Sequence, residues 1–156
     1  MAERRISGRA RRSRILPLKL QRFRLIHINT ARVLPVSHAD MKFLLILNDP
    51  PYGTERSYNA LRLVRSLLSK EAGEVRMFLL GDAAACAKGG QKVPQGYYNV
   101  ADMLSGVMRR GGTVGVCGTC LDARGIADAD LVEGAARSSM DQLAEWSAWA
   151  DKALVF

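Results

Sequence analysis

Cys117-Gly118-Thr119-Cys120 is a C-x-x-C at the end of an apolar stretch, and three chemistries suit two thiols at that spacing. A structural zinc site would use them as half of a four-ligand set. A redox pair would close a disulfide between them, given a backbone that brings the sulfurs together. A sulfur carrier would use one thiolate to accept a sulfane sulfur and pass it on. That role needs an accessible thiolate with a lowered pKa, and Arg124 in the same loop, or a helix N-terminus behind it, would supply the positive potential. A plainer reading stands beside these. Cys117 would close a strand as a small core residue and Cys120 would be incidental, because free cysteine is among the most buried residue types. The third cysteine, Cys86, lies in an Ala-rich stretch without polar company, and packing is its expected role.

The remaining composition narrows these choices. The two histidines, His27 and His38, both precede Met41. The region after Met41 therefore holds no Ser-His-Asp or Cys-His arrangement and lacks the commonest zinc ligand. It has no second C-x-x-C either, so no intrachain metal is expected, and no organic cofactor. Three cysteines without a secretory signal do not make a disulfide framework, and a reducing cytoplasm is the expected location. No apolar run approaches the roughly 18–20 residues needed to span a membrane.

The formal charge of +8 is concentrated at one end. Of 23 Lys and Arg and 15 Asp and Glu, ten bases and two acids fall in residues 1–40, leaving thirteen of each sign in residues 41–156. The globular part thus gives no reason to expect nucleic-acid binding. The segment 1–40 is Arg-rich, irregular in its apolar spacing and broken by Pro17 and Pro35. It reads as a disordered basic tail, a targeting presequence or an over-long start, and translation from Met41 is the reading we expect.

From Met41 the pattern turns regular. Phe43-Leu44-Leu45-Ile46-Leu47 is apolar without alternation, as in a strand buried on both faces of a parallel sheet. Tyr58, Leu61, Val64, Leu67 and Leu68 recur at helical spacing, and Val75–Leu80 forms a second strand. A short helical turn is expected around Cys86, then a loop over 88–96, a helix through Val100, Met103, Leu104 and Val107, and a strand over 113–117. Residues 118–125 read as a loop, Ile126 to Gly134 as holding a short helix, and 135–138 as a brief strand. Ser139 and Gln142 fit a capping box before a last helix with Met140, Leu143, Trp146 and Ala150 on one face. A closing strand over 152–156 follows. Strands alternating with helices predict a three-layer α/β/α domain over 41–156, with a mainly parallel sheet of about five strands.

Ligands of such sheets bind beyond the carboxyl ends of the strands. Three such ends carry Asn48, Asp49 and the following Pro-Pro-Tyr-Gly loop, then Gly81 and Asp82, then Cys117 and its loop. The loop Gly89-Gly90-Gln91-Lys92 lacks the phosphate-loop pattern and reads as an ordinary loop. Of Trp146 and Trp149, one belongs in the core and the other at a subunit interface or over the sheet edge. Asp122, Asp128, Asp130 and Glu133 read as a solvated face, since no spacing matches a calcium loop.

Several of these segments resemble the DsrE/DsrF-like family, in particular its YchN-like branch. They are Asn48 through Glu55, Gly81-Asp82-Ala83, Gly90-Gln91-Lys92, Gly96 through Asn99, Cys117 through Gly125, and Trp146 through Phe156. The resemblance runs from Met41 to Phe156 and implies a three-layer α/β fold in homo-oligomers, often trimers or hexamers. Some members carry persulfide in intracellular sulfur relay on a cysteine at a strand end, which Cys117 matches by position. The resemblance thus implies Cys117 as acceptor thiolate, Cys120 as resolving or assisting thiol and Arg124 as electrostatic support. Asn48, Tyr52, Asp82 and Gln91 would line the pocket, and a sulfur donor or acceptor protein would be the partner. The alternative is a non-catalytic homo-oligomeric binding or scaffold module.

Overall fold

The computed structural model describes residues 40–156. The basic segment before them, with His27 and His38, lies outside the described residues. In chain order the elements are β1 (Lys42–Leu47), α1 (Arg56–Ser69), β2 (Glu74–Leu79), a 3-10 stretch (Gly81–Ala87), α2 (Val100–Met108), β3 (Thr113–Cys117) and α3 (Gly118–Asp122). A 3-10 turn (Asp128–Asp130), β4 (Ala135–Ser138), α4 (Met140–Trp149) and β5 (Lys152–Val155) complete them. The five strands form one sheet in the order β4-β3-β2-β1-β5, every neighbouring pair parallel. This is the α/β architecture that the alternation of strands and helices predicts.

Side-chain alternation along the strands divides the core in two. Phe43, Leu45 and Leu47 of β1, Val75, Met77 and Leu79 of β2, and Val114 and Val116 of β3 pack with Leu61, Val64 and Leu104 of α1 and α2. Leu44, Phe78 and Cys117 point the other way and pack with Leu143 and Trp146 of α4. The apolar run in β1 is continuous because both of its faces are covered. Gly115 belongs to the α4 face of β3, and a Cβ there would stand 3.0 Å from Cη2 of Trp146. The missing side chain is what lets the indole lie against the strand, edge-on to Phe78 with ring centroids 6.1 Å apart.

Three local expectations shift. Residues 118–122 form the short helix α3 rather than loop, while 126–134 contain only the 3-10 turn, where the Asp130 carboxylate accepts the Ala127 N–H at 3.1 Å. Met140 does not join Leu143 and Trp146 in the core. It sits in the first turn of α4, beyond the sheet, and is 58% exposed. Trp149 is half-buried at the sheet margin, with the Arg76 guanidinium 3.8 Å from its ring centroid, while Trp146 takes the core position. The Ser139 hydroxyl accepts the Gln142 N–H at 3.2 Å and caps α4. Among the described residues no helix is long and apolar enough to cross a membrane.

Candidate functional site

The chain leaves β3 through α3, whose Leu121 joins the core on the same face of the sheet as α1 and α2, but it leaves β4 through α4 on the opposite face. Ligands of parallel sheets bind beyond the carboxyl ends of the strands. At that end β3 and β4 lie side by side, with Cys117 paired to Ser138 in register, and their chains leave to opposite faces, which opens a crevice between them. A cavity of about 410 Å³ occupies the crevice, lined among others by Cys117, Thr119, Asp122, Arg137, Ser139 and Met140.

Cys117 is the last residue of β3 and the N-cap of α3. Its sulfur lies 3.3 Å from the Thr119 hydroxyl. Burial alone would raise the thiol pKa, but the Cys120 thiol, the Thr119 hydroxyl and the backbone N–H groups of Cys120 and Thr119 favour the thiolate and outweigh it. The net shift is downward. Cys120 shifts upward, through burial first and then its contact with Cys117, despite the Gly81 N–H that donates to its sulfur at 3.2 Å. The two thiols therefore separate, with Cys117 the easier to ionise.

Arg137, on β4, holds the turn between the two cysteines. Its guanidinium donates to the Gly118 carbonyl at 3.0 Å and pairs with Asp128 at 2.7 Å and Asp122 at 3.0 Å. Two acids of the stretch that reads as a solvated face thus have a defined partner. Arg137, Thr119 and Ser139 are not among the site residues to which the sequence points. Thr119 lies inside the C-x-x-C and was legible there. Arg137 and Ser139 become neighbours of Cys117 only once β4 is known to lie beside β3.

The other expected residues divide into three groups. Arg124 reaches Cys120 rather than Cys117: it pairs with Asp82 through a short contact and donates to the Cys120 carbonyl at 3.0 Å. Gly81, Asp82, Cys120 and Arg124 therefore form one cluster on the rim. Tyr52 and Gln91 form a second. The Gln91 Oε1 accepts from the Tyr52 hydroxyl at 2.8 Å and from the Ala101 N–H at 3.1 Å, and its Nε2 donates to the carbonyls of Ala85, Cys86 and Lys88. These bonds tie the loop to the start of α2. Asn48 stands apart, exposed beside Arg56, Val155 and Phe156. Cys86 is fully buried, and burial pushes its thiol up to about 11.

The model of the DsrE/DsrF-like family matches residues 41–156. The chain belongs to the DsrE/DsrF-like family. Protein YchN of Escherichia coli K12 is 37% identical over 116 residues, which cover 74% of this chain and 98% of that protein. Protein MJ0989 of Methanocaldococcus jannaschii is 38% identical over 116 residues, covering 74% of this chain and all of its own length (100%). The crystal structure of YchN from Escherichia coli aligns with a TM-score of 0.71, covering 74% of this chain and 99% of that one. The structure of MTH1491 from Methanobacterium thermoautotrophicum, 15% identical with a TM-score of 0.62, covers 75% of this chain and 100% of its own and shares the fold. In this DsrE/DsrF-like domain the crevice between β3 and β4 is where a cysteine, its hydrogen-bond donors and a cavity coincide.

Proposed function

We propose that this protein carries sulfane sulfur as a persulfide on Cys117, within a cytoplasmic sulfur relay. The observation that supports this best is the position of the Cys117 sulfur, in a crevice at the end of β3 with the Thr119 hydroxyl 3.3 Å away. A thiolate so placed attacks the outer sulfur of a donor persulfide. The new bond is between Cys117 and that sulfur, the donor's S–S bond breaks, and the donor leaves as its thiolate. An acceptor nucleophile then takes the outer sulfur and returns Cys117 to its thiolate. Cys120 offers a second exit: attack on the Cys117 sulfur would expel hydrosulfide and leave a disulfide, which a dithiol reductant must reopen. We also propose that the chain acts as a homo-oligomer, a trimer or hexamer, with a sulfur donor or acceptor protein as partner.

The full chain, incubated with a sulfane-sulfur donor, is expected to gain the mass of one sulfur, to lose it under reductant, and to gain none as Cys117→Ser. The absence of any reducible adduct, under conditions where a known carrier loads, overturns the reading. A second reading, a binding or scaffold module, draws on the burial of Cys117: it is 4% exposed among Leu44, Phe78, Leu143 and Trp146. In that case the Cys117→Ser/Cys120→Ser double variant keeps the oligomeric state and partner binding of the wild type, and loss of either removes this alternative.

A further inference from the structure

A second cavity, of about 720 Å³, opens between α1, α2 and the loop over residues 91–99. It shares no lining residue with the Cys117 crevice. Its volume lies within the range of about 300–1,000 Å³ typical of small-molecule sites. Four cations line it: Arg65 from α1, Lys92 from the loop, and Arg109 and Arg110 just past α2. Asp102 is the one acid in the lining. The ion pairs among the described residues engage Arg56, Arg76, Arg124 and Arg137 and none of these four cations.

Gly106 shows how closely two of these charges approach. A Cβ at that position would stand 3.7 Å from Nη2 of Arg109 and 3.9 Å from Nη1 of Arg110. Both guanidinium groups therefore lie within contact distance of the same point on α2. Like charges so placed repel each other, and an anion between them would relieve the repulsion. The guanidinium fork matches phosphate oxygens two at a time, which a point charge does not. At the rim, Tyr97 is 71% exposed. An aromatic ring left open to water beside a cationic cleft offers a stacking face to a planar base.

We propose that this cleft binds a nucleotide, with its phosphates held by Arg65, Lys92, Arg109 and Arg110 and its base against Tyr97. The cleft shares no lining residue with the Cys117 crevice and needs neither Cys117 nor Cys120. The Gly-Gly-Gln-Lys segment then contributes through Lys92 as one cation among four, not as a phosphate loop, and Gln91 serves to pin the segment in place.

The four cations are all exposed, so their replacement leaves the core intact. Calorimetric titration of the full chain with ATP, pyrophosphate and adenosine tests the assignment. Arg65→Ser/Arg109→Ser is expected to weaken ATP and pyrophosphate by about tenfold or more, the loss of charged hydrogen bonds. Tyr97→Ser is expected to weaken ATP by several-fold and leave pyrophosphate unchanged. Arg4→Ser/Arg5→Ser, in the basic segment, is expected to change neither. Retention of ATP affinity within about twofold in Arg65→Ser/Arg109→Ser overturns the proposal. So does a loss of affinity that follows the Arg4 and Arg5 substitutions instead. If the cleft substitutions alter the oligomeric state while ATP binding persists, the cleft is a contact between copies and the proposal fails. Equal affinity for ATP and pyrophosphate overturns the assignment of the base to Tyr97.

Discussion

Thr119→Val removes one hydroxyl beside Cys117 and preserves the branched shape. The hydroxyl lies 3.3 Å from the Cys117 sulfur. A hydrogen bond to a charged group is worth about 1.5–3 kcal/mol. Thr119 is exposed, so water replaces part of the lost bond, and sulfur accepts weakly. A net effect of about 1 kcal/mol remains, which raises the Cys117 pKa and moves its ionisation equilibrium about fivefold toward the thiol. Below the pKa, the thiolate fraction then falls about fivefold. The more basic thiolate is the better nucleophile, which recovers about half of this on a logarithmic scale. Alkylation of Cys117 at neutral pH should therefore slow by roughly two- to threefold. The assay is the pH dependence of iodoacetamide labelling, with the modified cysteine located by fragmentation of the peptide that contains both. Because the two thiols titrate as a pair, the lower apparent step is the one compared. An unchanged or lowered first step in Thr119→Val, or a first step that labels Cys120 in the wild type, refutes the reasoning.

Two further outcomes follow from buried positions. Burial raises the Cys86 thiol from the ordinary 9.0 to about 11. Its folded-state value exceeds its unfolded one, so the stabilisation is complete below about pH 9 and is lost as pH climbs toward 11. The difference corresponds to roughly 3 kcal/mol. Urea unfolding across that window should show a flatter alkaline decline for Cys86→Ala than for the wild type, and parallel declines would contradict it. Gly115→Ala should cost about 1–3 kcal/mol, because its methyl would lie 3.0 Å from Trp146 and 3.2 Å from the Ser138 Cβ. Chemical unfolding followed by tryptophan fluorescence measures it, and a neutral result would show that α4 can move away from β3 freely.

The sheet was legible because its signal is local. Phe43 through Leu47 carry no polar residue, and only a strand covered on both faces accommodates that. Cys117 at the end of β3 was legible for the same reason, since the apolar run stops there. The short helix α3 was not. Five residues are too few to show a helical period, and α3 forms because Leu121 joins the larger core beside the 3-10 stretch Gly81–Ala87 and Arg137 holds the Gly118 carbonyl. Tyr52 and Gln91 enter as pocket residues with the family resemblance, yet their polar atoms are spent joining their loops to α2.

By itself the sequence determined the strands, the main helices, the placing of charge before Met41 and the position of the C-x-x-C, because each depends on neighbours along the chain. The tertiary structure alone decided which strand lies beside β3, and hence that Ser138, Ser139 and Arg137 border Cys117. It alone decided that Arg124 attends Cys120 and that Arg65, Lys92, Arg109 and Arg110 share one cleft. Those relations join residues distant in sequence, and packing of side chains across the sheet, rather than any local preference, brings them together.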